Sequence, residues 1–256
     1  MPNDGHGIAI EVGASHNTIG GVLPGYGNLV SGNDGHGIWV VGNGTDHNVI
    51  LGNLIGTDLT GTGLMGNKGS GVVIDGGPDD TQVGGDTPQA RNVIAGNDGT
   101  GVWINGISTD DTVVQGNYIG TDPSGAQALP NHAGVRISGG PKRSLVGGET
   151  ANLRNVISGN RTEGVLIGLT GTRDNVVKGN YIGTDVSGTV ALPNGAHGVE
   201  IRENAQDNVI GGVSVNALGR AEAQEGCEGA CNLISGNLGV GVYIVNSGTA
   251  GNTILG

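Results

Sequence analysis

Phenylalanine is absent from the sequence, and aromatic residues of all kinds make up 2% of its 256 positions. A core built on leucine and phenylalanine, as in most globular domains, is thereby excluded. Lysine and arginine are scarce as well, 11 against 23 acidic residues, for a net charge of −12. That balance argues against nucleic acid and anionic membranes as partners, because both need basic patches. It also disfavours a polyanionic substrate unless a local basic patch exists. No stretch is apolar for long enough to span a bilayer. The opening MPNDGHGIAI has neither the charged n-region nor the apolar core of an export signal, so export would use a signal outside this chain. Cysteine is limited to Cys227 and Cys231. The pair forms a small disulfide if the protein is exported and stays as free thiols otherwise, and two thiols are too few for a metal centre.

What is abundant is glycine, 55 residues, together with regularly spaced pairs of Ile and Val. The β-branched residues favour strands, and Gly, Asn and Asp favour turns. The regular spacing of the apolar pairs argues against disorder.

The spacing comes from internal repeats. Four near-copies of one phrase, GNLVSGN (27–33), RNVIAGN (91–97), RNVISGN (154–160) and CNLISGN (231–237), start 64, 63 and 77 residues apart. A second phrase recurs as NLIGTD (53–58), NYIGTD (117–122) and NYIGTD (180–185). A third pattern, Gly-Ile/Val-x-Ile/Val, begins at Gly7, Gly37, Gly71, Gly101, Gly134, Gly164, Gly198 and Gly241, twice in each long period. The long period therefore holds two similar units, each with three short alternating runs, and alternation marks strands. Residues 37–58 are the most compact version. Odd units add a six-residue loop (22–27, 86–91, 149–154), and even units add 11 or 12 residues after their third run (59–70, 123–133, 186–197). The last odd unit carries a 19-residue inserted loop, 213–231, that holds both cysteines.

One unit cannot fold alone. About four inward aliphatics supply roughly 1.5–3 kcal/mol each, whereas ordering each residue costs roughly 1–2 kcal/mol. Stacking the units solves this, with each strand pairing in parallel about 4.8 Å above and below its counterparts. The expected fold is all-β: one domain over residues 1–256, a single-stranded parallel β-helix of about eight coils with three parallel sheets around an Ile/Val core.

Stacking aligns equivalent side chains. Asn28, Asn53, Asn92, Asn117, Asn155, Asn180 and Asn232 form one expected row, in which each amide can bond the next. Asn17, Asn48, Thr81, Thr112, Ser144, Asn175, Asn208 and Asn252 form a looser polar row. A third expected row alternates amide and carboxylate: Asn33, Asp58, Asn97, Asp122, Asn160, Asp185 and Asn237.

The phrases NVISGN (155–160), GNYIGTD (116–122 and 179–185) and ALPN (128–131 and 191–194) resemble the right-handed parallel β-helix repeats of the pectate-lyase-like superfamily. The likeness is to its repeat-rich bacterial surface or secreted proteins, and it covers essentially the whole chain. It implies right-handed coiling, which parallel crossovers also favour, and an extracellular or cell-surface location. It does not select a function, since that superfamily includes lyases, hydrolases, epimerases, adhesins and phage tail proteins.

In the first strand the x position of Gly-Ile-x-Ile points outward. Down the stack it reads Ala9, Trp39, Val73, Trp103, Arg136, Leu166, Glu200 and Tyr243. In the resembled superfamily this face is the usual sugar groove. Trp39, Trp103 and Tyr243 are thus candidate glycan contacts, because flat aromatics suit the apolar faces of sugars. The alternative is a stripe covered by loops or by another subunit. The outward row of strand three, Leu29, Leu54, Val93, Tyr118, Val156, Tyr181 and Leu233, is expected to be structural, with Leu129 and Leu192 folding back onto it.

Asp79, Asp80, Asp110 and Asp111 fall on neighbouring coils at the turn before strand two. Clustered oxygen ligands suit Ca²⁺. Asp80 and Asp111 at about 5 Å would also suit a retaining glycosidase. A solvated turn neutralised by Lys142 and Arg143 is the third reading. Six histidines are present; His6 and His36 are repeat equivalents, as are His16 and His47, but no third metal ligand stands beside either pair.

Arg136, Glu200 and Arg202 are the only charged cluster near the first-strand face and the weak catalytic candidates. They do not assemble a known catalytic constellation. The leading expectation is a non-catalytic extracellular module, adhesive or glycan-binding, or a structural scaffold. The alternative is a polysaccharide-active lyase, epimerase or hydrolase. No cofactor beyond a possible Ca²⁺ is expected. The opening PNDGHGI matches the interior PNGAHGV (193–199), so the chain reads as a segment of a longer array or a unit that associates end to end.

Overall fold

The computed structural model describes residues 2–212 and 229–255. They form three parallel sheets of 8, 8 and 7 strands, the coils of a right-handed parallel β-helix. Each of the first seven coils contributes one strand to every sheet before the chain climbs to the next, and the eighth contributes to sheets one and two. Sheet one runs from Ile8–Glu11 through Ile38–Val41, Val72–Asp75, Val102–Asn105, Val135–Ser138, Val165–Gly168 and Val199–Arg202 to Val242–Ile244. Sheet two runs from Thr18–Gly20 to Thr253–Ile254, and sheet three from Leu29–Val30 to Leu233–Ile234. The one helical turn among the described residues, Pro88–Ala90, is capped by the Thr87 hydroxyl.

The alternation places four aliphatic columns inside. Ile38, Val40, Ile50 and Ile55 of one coil are fully buried, as are Val102, Ile104, Val114 and Ile119 two coils later. Burying such side chains supplies the favourable energy that no coil could gather by itself. Among the described residues the core cluster consists of Ile and Val with one alanine, Ala205, and no aromatic ring. The glycine that opens Gly-Ile-x-Ile is constrained. A Cβ on Gly101 would lie 2.6 Å from Ile119 Cγ2 and 2.8 Å from the Gly134 carbonyl.

Two asparagine ladders run along the corners. In the first, the amide of each residue from Asn28 to Asn180 donates to the Oδ1 of the next, as from Asn53 to Asn92 (3.0 Å), and the last link is Asn180 to Asn232 (3.1 Å). The looser row behaves as its composition dictates. Asparagines link at its ends, Asn17 to Asn48 and Asn175 to Asn208 to Asn252, while hydroxyls occupy the middle.

The third row differs from the expectation. Asp58, Asp122 and Asp185 are not in it. The second full ladder runs Asn3, Asn33, Asn67, Asn97, Asn131, Asn160, Asn194, Asn237, all amides, with links of 2.7–3.1 Å. The reason is the loop inserted after strand three in even coils. The chain leaves the stack at Gly-Thr-Asp, closes a small antiparallel hairpin (Thr121 bridges Ala128, Thr184 bridges Ala191), and fills the corner only on its return. The aspartates hold these loops instead. Asp122 accepts from the Ser124 hydroxyl (2.8 Å) and from the N–H groups of Ala126 and Gln127.

The loops pack on the outer face of sheet three, where Gly125 lies against the Tyr118 ring and Gly188 against Tyr181. Tyr118, Val93 and Val156 are consequently buried, and Leu129 and Leu192 half-buried. From the odd-coil loops, Arg91 lies 4.1 Å from the Tyr118 ring centre and Arg154 4.0 Å from that of Tyr181.

Candidate functional site

The outer face of sheet one is organised by strand register. Ala9 pairs with Trp39, Trp39 with Val73, Val73 with Trp103 and Trp103 with Arg136, and the column continues through Leu166 and Glu200 to Tyr243. Trp39 and Trp103 are partly exposed, with Val73 (2% exposed) sunk between them. Tyr243 is exposed and leans on the His197 ring at 4.6 Å.

Trp103 is fixed from several sides. Its indole N–H donates to Ser138 Oγ at 3.0 Å, and Ser138 in turn contacts Asn105 Oδ1 at 3.3 Å. Asn105 donates to Asp75 Oδ1 at 2.8 Å. The Arg136 guanidinium lies 5.4 Å from the Trp103 ring centre, within cation–π range. Arg136 Nε is buried without a hydrogen-bond partner. Trp39 contacts the His6 ring at 4.6 Å.

Of the charged candidates, Glu200 and Arg202 come together and Arg136 does not join them. Arg202 Nη1 reaches Glu200 Oε1 at 3.2 Å, while Arg136 stands two strands away in the register. The Glu200 side chain is 7% exposed. A carboxylate buried and already engaged by a neighbouring guanidinium is poorly placed to reach a substrate proton.

The aspartates at the corner between sheets one and two are engaged along the stack. Asp46 Oδ1 accepts the Asp79 N–H (2.9 Å), Asp79 Oδ1 that of Asp110 (3.0 Å) and Asp110 Oδ1 that of Lys142 (2.9 Å). Arg143 binds Asp111 through Nε and Nη2, at 2.9 and 2.6 Å, and reaches Asp110 at 3.3 Å. Asp80 faces His47 Nε2 at 3.6 Å. Burial lifts the Asp79 carboxyl above the usual carboxylate range; the Asp110 N–H opposes this, and the charges of Asp110, Asp46 and Asp111 reinforce it. Among the described residues, no group of three His, Cys, Asp or Glu side chains could hold a metal ion. Cys231 is disulfide-bonded; Cys227 and positions 213–228 of the inserted loop lie outside the described residues.

One functional-looking row escaped the sequence reading. At several coils the residue before the Gly-Ile-x-Ile glycine also accepts a bond from the next coil through its side chain. His6 Nδ1 accepts the His36 N–H, His36 Nδ1 that of Ser70, and His197 Nδ1 that of Val240, each at 2.9 Å. The recurrence of His-Gly-Ile/Val at 6–8, 36–38 and 197–199 was the available signal.

An open apolar cavity of about 340 Å³ lies elsewhere, lined by Val22, Leu23, Pro24, Leu29, Leu54 and Leu59. It exists because Gly27 and Leu54 stand where later coils have the Arg91–Tyr118 and Arg154–Tyr181 pairs. No family model matches the chain, and neither a curated protein nor a solved structure matches it.

Proposed function

We propose that the chain is a non-catalytic carbohydrate-binding β-helix module of an extracellular or cell-surface protein, of the pectate-lyase-like type its repeats resemble. The outer face of sheet one is its contact surface. The observation that carries this reading is the placement of Trp39 and Trp103 in one column with Val73 between them. Two strand spacings, about 9.6 Å, separate the rings by about the length of a disaccharide. Trp103 is preset by Ser138 and Arg136, so it loses little freedom when a sugar stacks on it. The occupied Glu200–Arg202 pair speaks for binding over catalysis. The aspartate corner, already engaged by N–H groups and Arg143, carries no calcium proposal.

The test is affinity electrophoresis and calorimetry against a panel of neutral and acidic polysaccharides. Trp39→Ala and Trp103→Ala are each expected to weaken binding about tenfold, the loss of roughly 1.4 kcal/mol. Unchanged binding in both variants would remove this face from the reading, and turnover of any polysaccharide would replace it with the enzymatic one. Silence across the panel would favour a structural scaffold, for which the uninterrupted ladders speak. In that case end-to-end association of copies should appear as light scattering that rises with concentration.

A further inference from the structure

Four of the six histidines sit in the first two coils, and they form two stacked pairs across the same junction. His6 and His36 lie 5.0 Å apart between ring centres with planes 9° from parallel. His16 and His47 lie 4.7 Å apart at 11°. The first pair stands at the corner entering sheet one, and the second at the corner entering sheet two.

The hydrogen bonds at the first pair assign its protonation. His6 Nδ1 and His36 Nδ1 each accept a backbone N–H, from His36 and from Ser70. Only a neutral imidazole with its proton on Nε2 can do this. A proton added at Nδ1 turns the acceptor into a donor pointing at a donor. It also places two like charges face to face across half-buried rings.

The surrounding charges do not relieve the pair. Asp75 is the carboxylate that favours a charge on His36, and it is already bonded by Asn105. Asp34, two residues before His36, is engaged by Lys68 at 2.8 Å, and Asp4 flanks His6 in sequence. Burial, then the His6 charge, holds the His36 pKa below the ordinary histidine range. At the second corner Asp80 lies 3.6 Å from His47, with Asp46 and Asp79 beside it in the corner ladder. The carboxylates that face the second pair set it apart from the first.

We propose that the stacked His6–His36 pair forms an acid-sensitive latch that ties the first coil to the second and the second to the third at neutral pH and releases them on mild acidification. The sign follows from the depressed group. Stabilisation by a histidine whose folded pKa is lowered is complete above its ordinary value of about 6.5 and is lost as pH falls below it. The window lies above the range in which ordinary carboxylates titrate, about 4, so the asparagine ladders and loop aspartates are not involved. The inference stands independently of carbohydrate binding.

The test is amide hydrogen exchange followed by NMR, expressed as protection factors so that intrinsic exchange rates cancel. Between about pH 7.5 and 5, protection of the His36 and Ser70 amides is expected to fall at least about tenfold, while Val135 and Val165 in the middle of sheet one stay protected. In the His6→Asn, His36→Asn double variant an amide oxygen can accept the same N–H groups without titrating, and protection should stay flat. A flat wild-type profile, or an equal fall in the variant, overturns the proposal. Should the variant not fold, the wild-type imidazole nitrogen shifts decide: neutral Nε2–H tautomers at His6 and His36 support the latch, and Nδ1–H tautomers overturn it.

Discussion

Asn92 Nδ2 donates to Asn117 Oδ1 at 2.9 Å, and the Asn92 backbone N–H donates to the same oxygen at 3.2 Å. Each rung of the ladder is thus a fork of two donors closing on one acceptor a coil above. The remaining amide proton turns back to a main-chain carbonyl, as from Asn92 to Ile50 at 2.9 Å. Corner backbone groups that no strand could satisfy are paired in this way.

Replacing Asn117 by alanine should therefore be costly. Its amide accepts both Asn92 donors and donates to Asn155 Oδ1 and to the Val83 and Gln115 carbonyls. With each orphaned buried group costing about 1–3 kcal/mol, the expected loss is on the order of 4 kcal/mol. Asn28→Ala at the exposed outer rung should cost much less. Urea midpoints of the two variants check this, and equal midpoints would refute the forked ladder as a source of stability.

The corner after each even-coil loop separates an amide role from a carboxylate role. Asn131→Ala should destabilise the stack, whereas Asp122→Ala should loosen only the loop that follows it. Burial pushes the Asp122 carboxyl up, but the Ser124 hydroxyl and the Gln127 and Ala126 N–H groups outweigh it and hold the carboxyl below its usual range. A depressed carboxylate stabilises above its unfolded pKa of about 3.9 and loses that contribution as pH falls through the folded value. Exchange protection of the Ala126 and Gln127 amides should drop below about pH 4, while the Asn131 rung persists.

Thr81, Thr112 and Ser144 place three consecutive buried hydroxyls in the looser row without hydrogen-bond partners. Thr112→Val keeps the shape and removes an unsatisfied group, so it should raise stability by about 1 kcal/mol. Thermal or urea unfolding measures the change, and a destabilised variant would show that the hydroxyl has a partner.

The period, the strand alternation and the inward aliphatic columns were legible in the sequence because they obey counting rules. A side chain two positions on returns to the same face, and a repeat one coil on returns to the same column. The Trp39–Val73–Trp103 column and the seven-membered ladder from Asn28 to Asn232 follow from those rules alone. The counting failed at Asp58, Asp122 and Asp185, where the chain leaves the stack. Position along the sequence stops measuring position around the coil there, and only the returning chain decides that Asn67, Asn131 and Asn194 occupy the rung. The histidine row escaped for a related reason. Whether an imidazole nitrogen meets the N–H of the next coil depends on ring orientation at a corner, which periodicity does not encode. The sequence by itself determined a stack of coils and which residues line its core; the tertiary structure decided which polar side chains close the corners, because those bonds join residues 25 to 52 positions apart whose separation varies with every inserted loop.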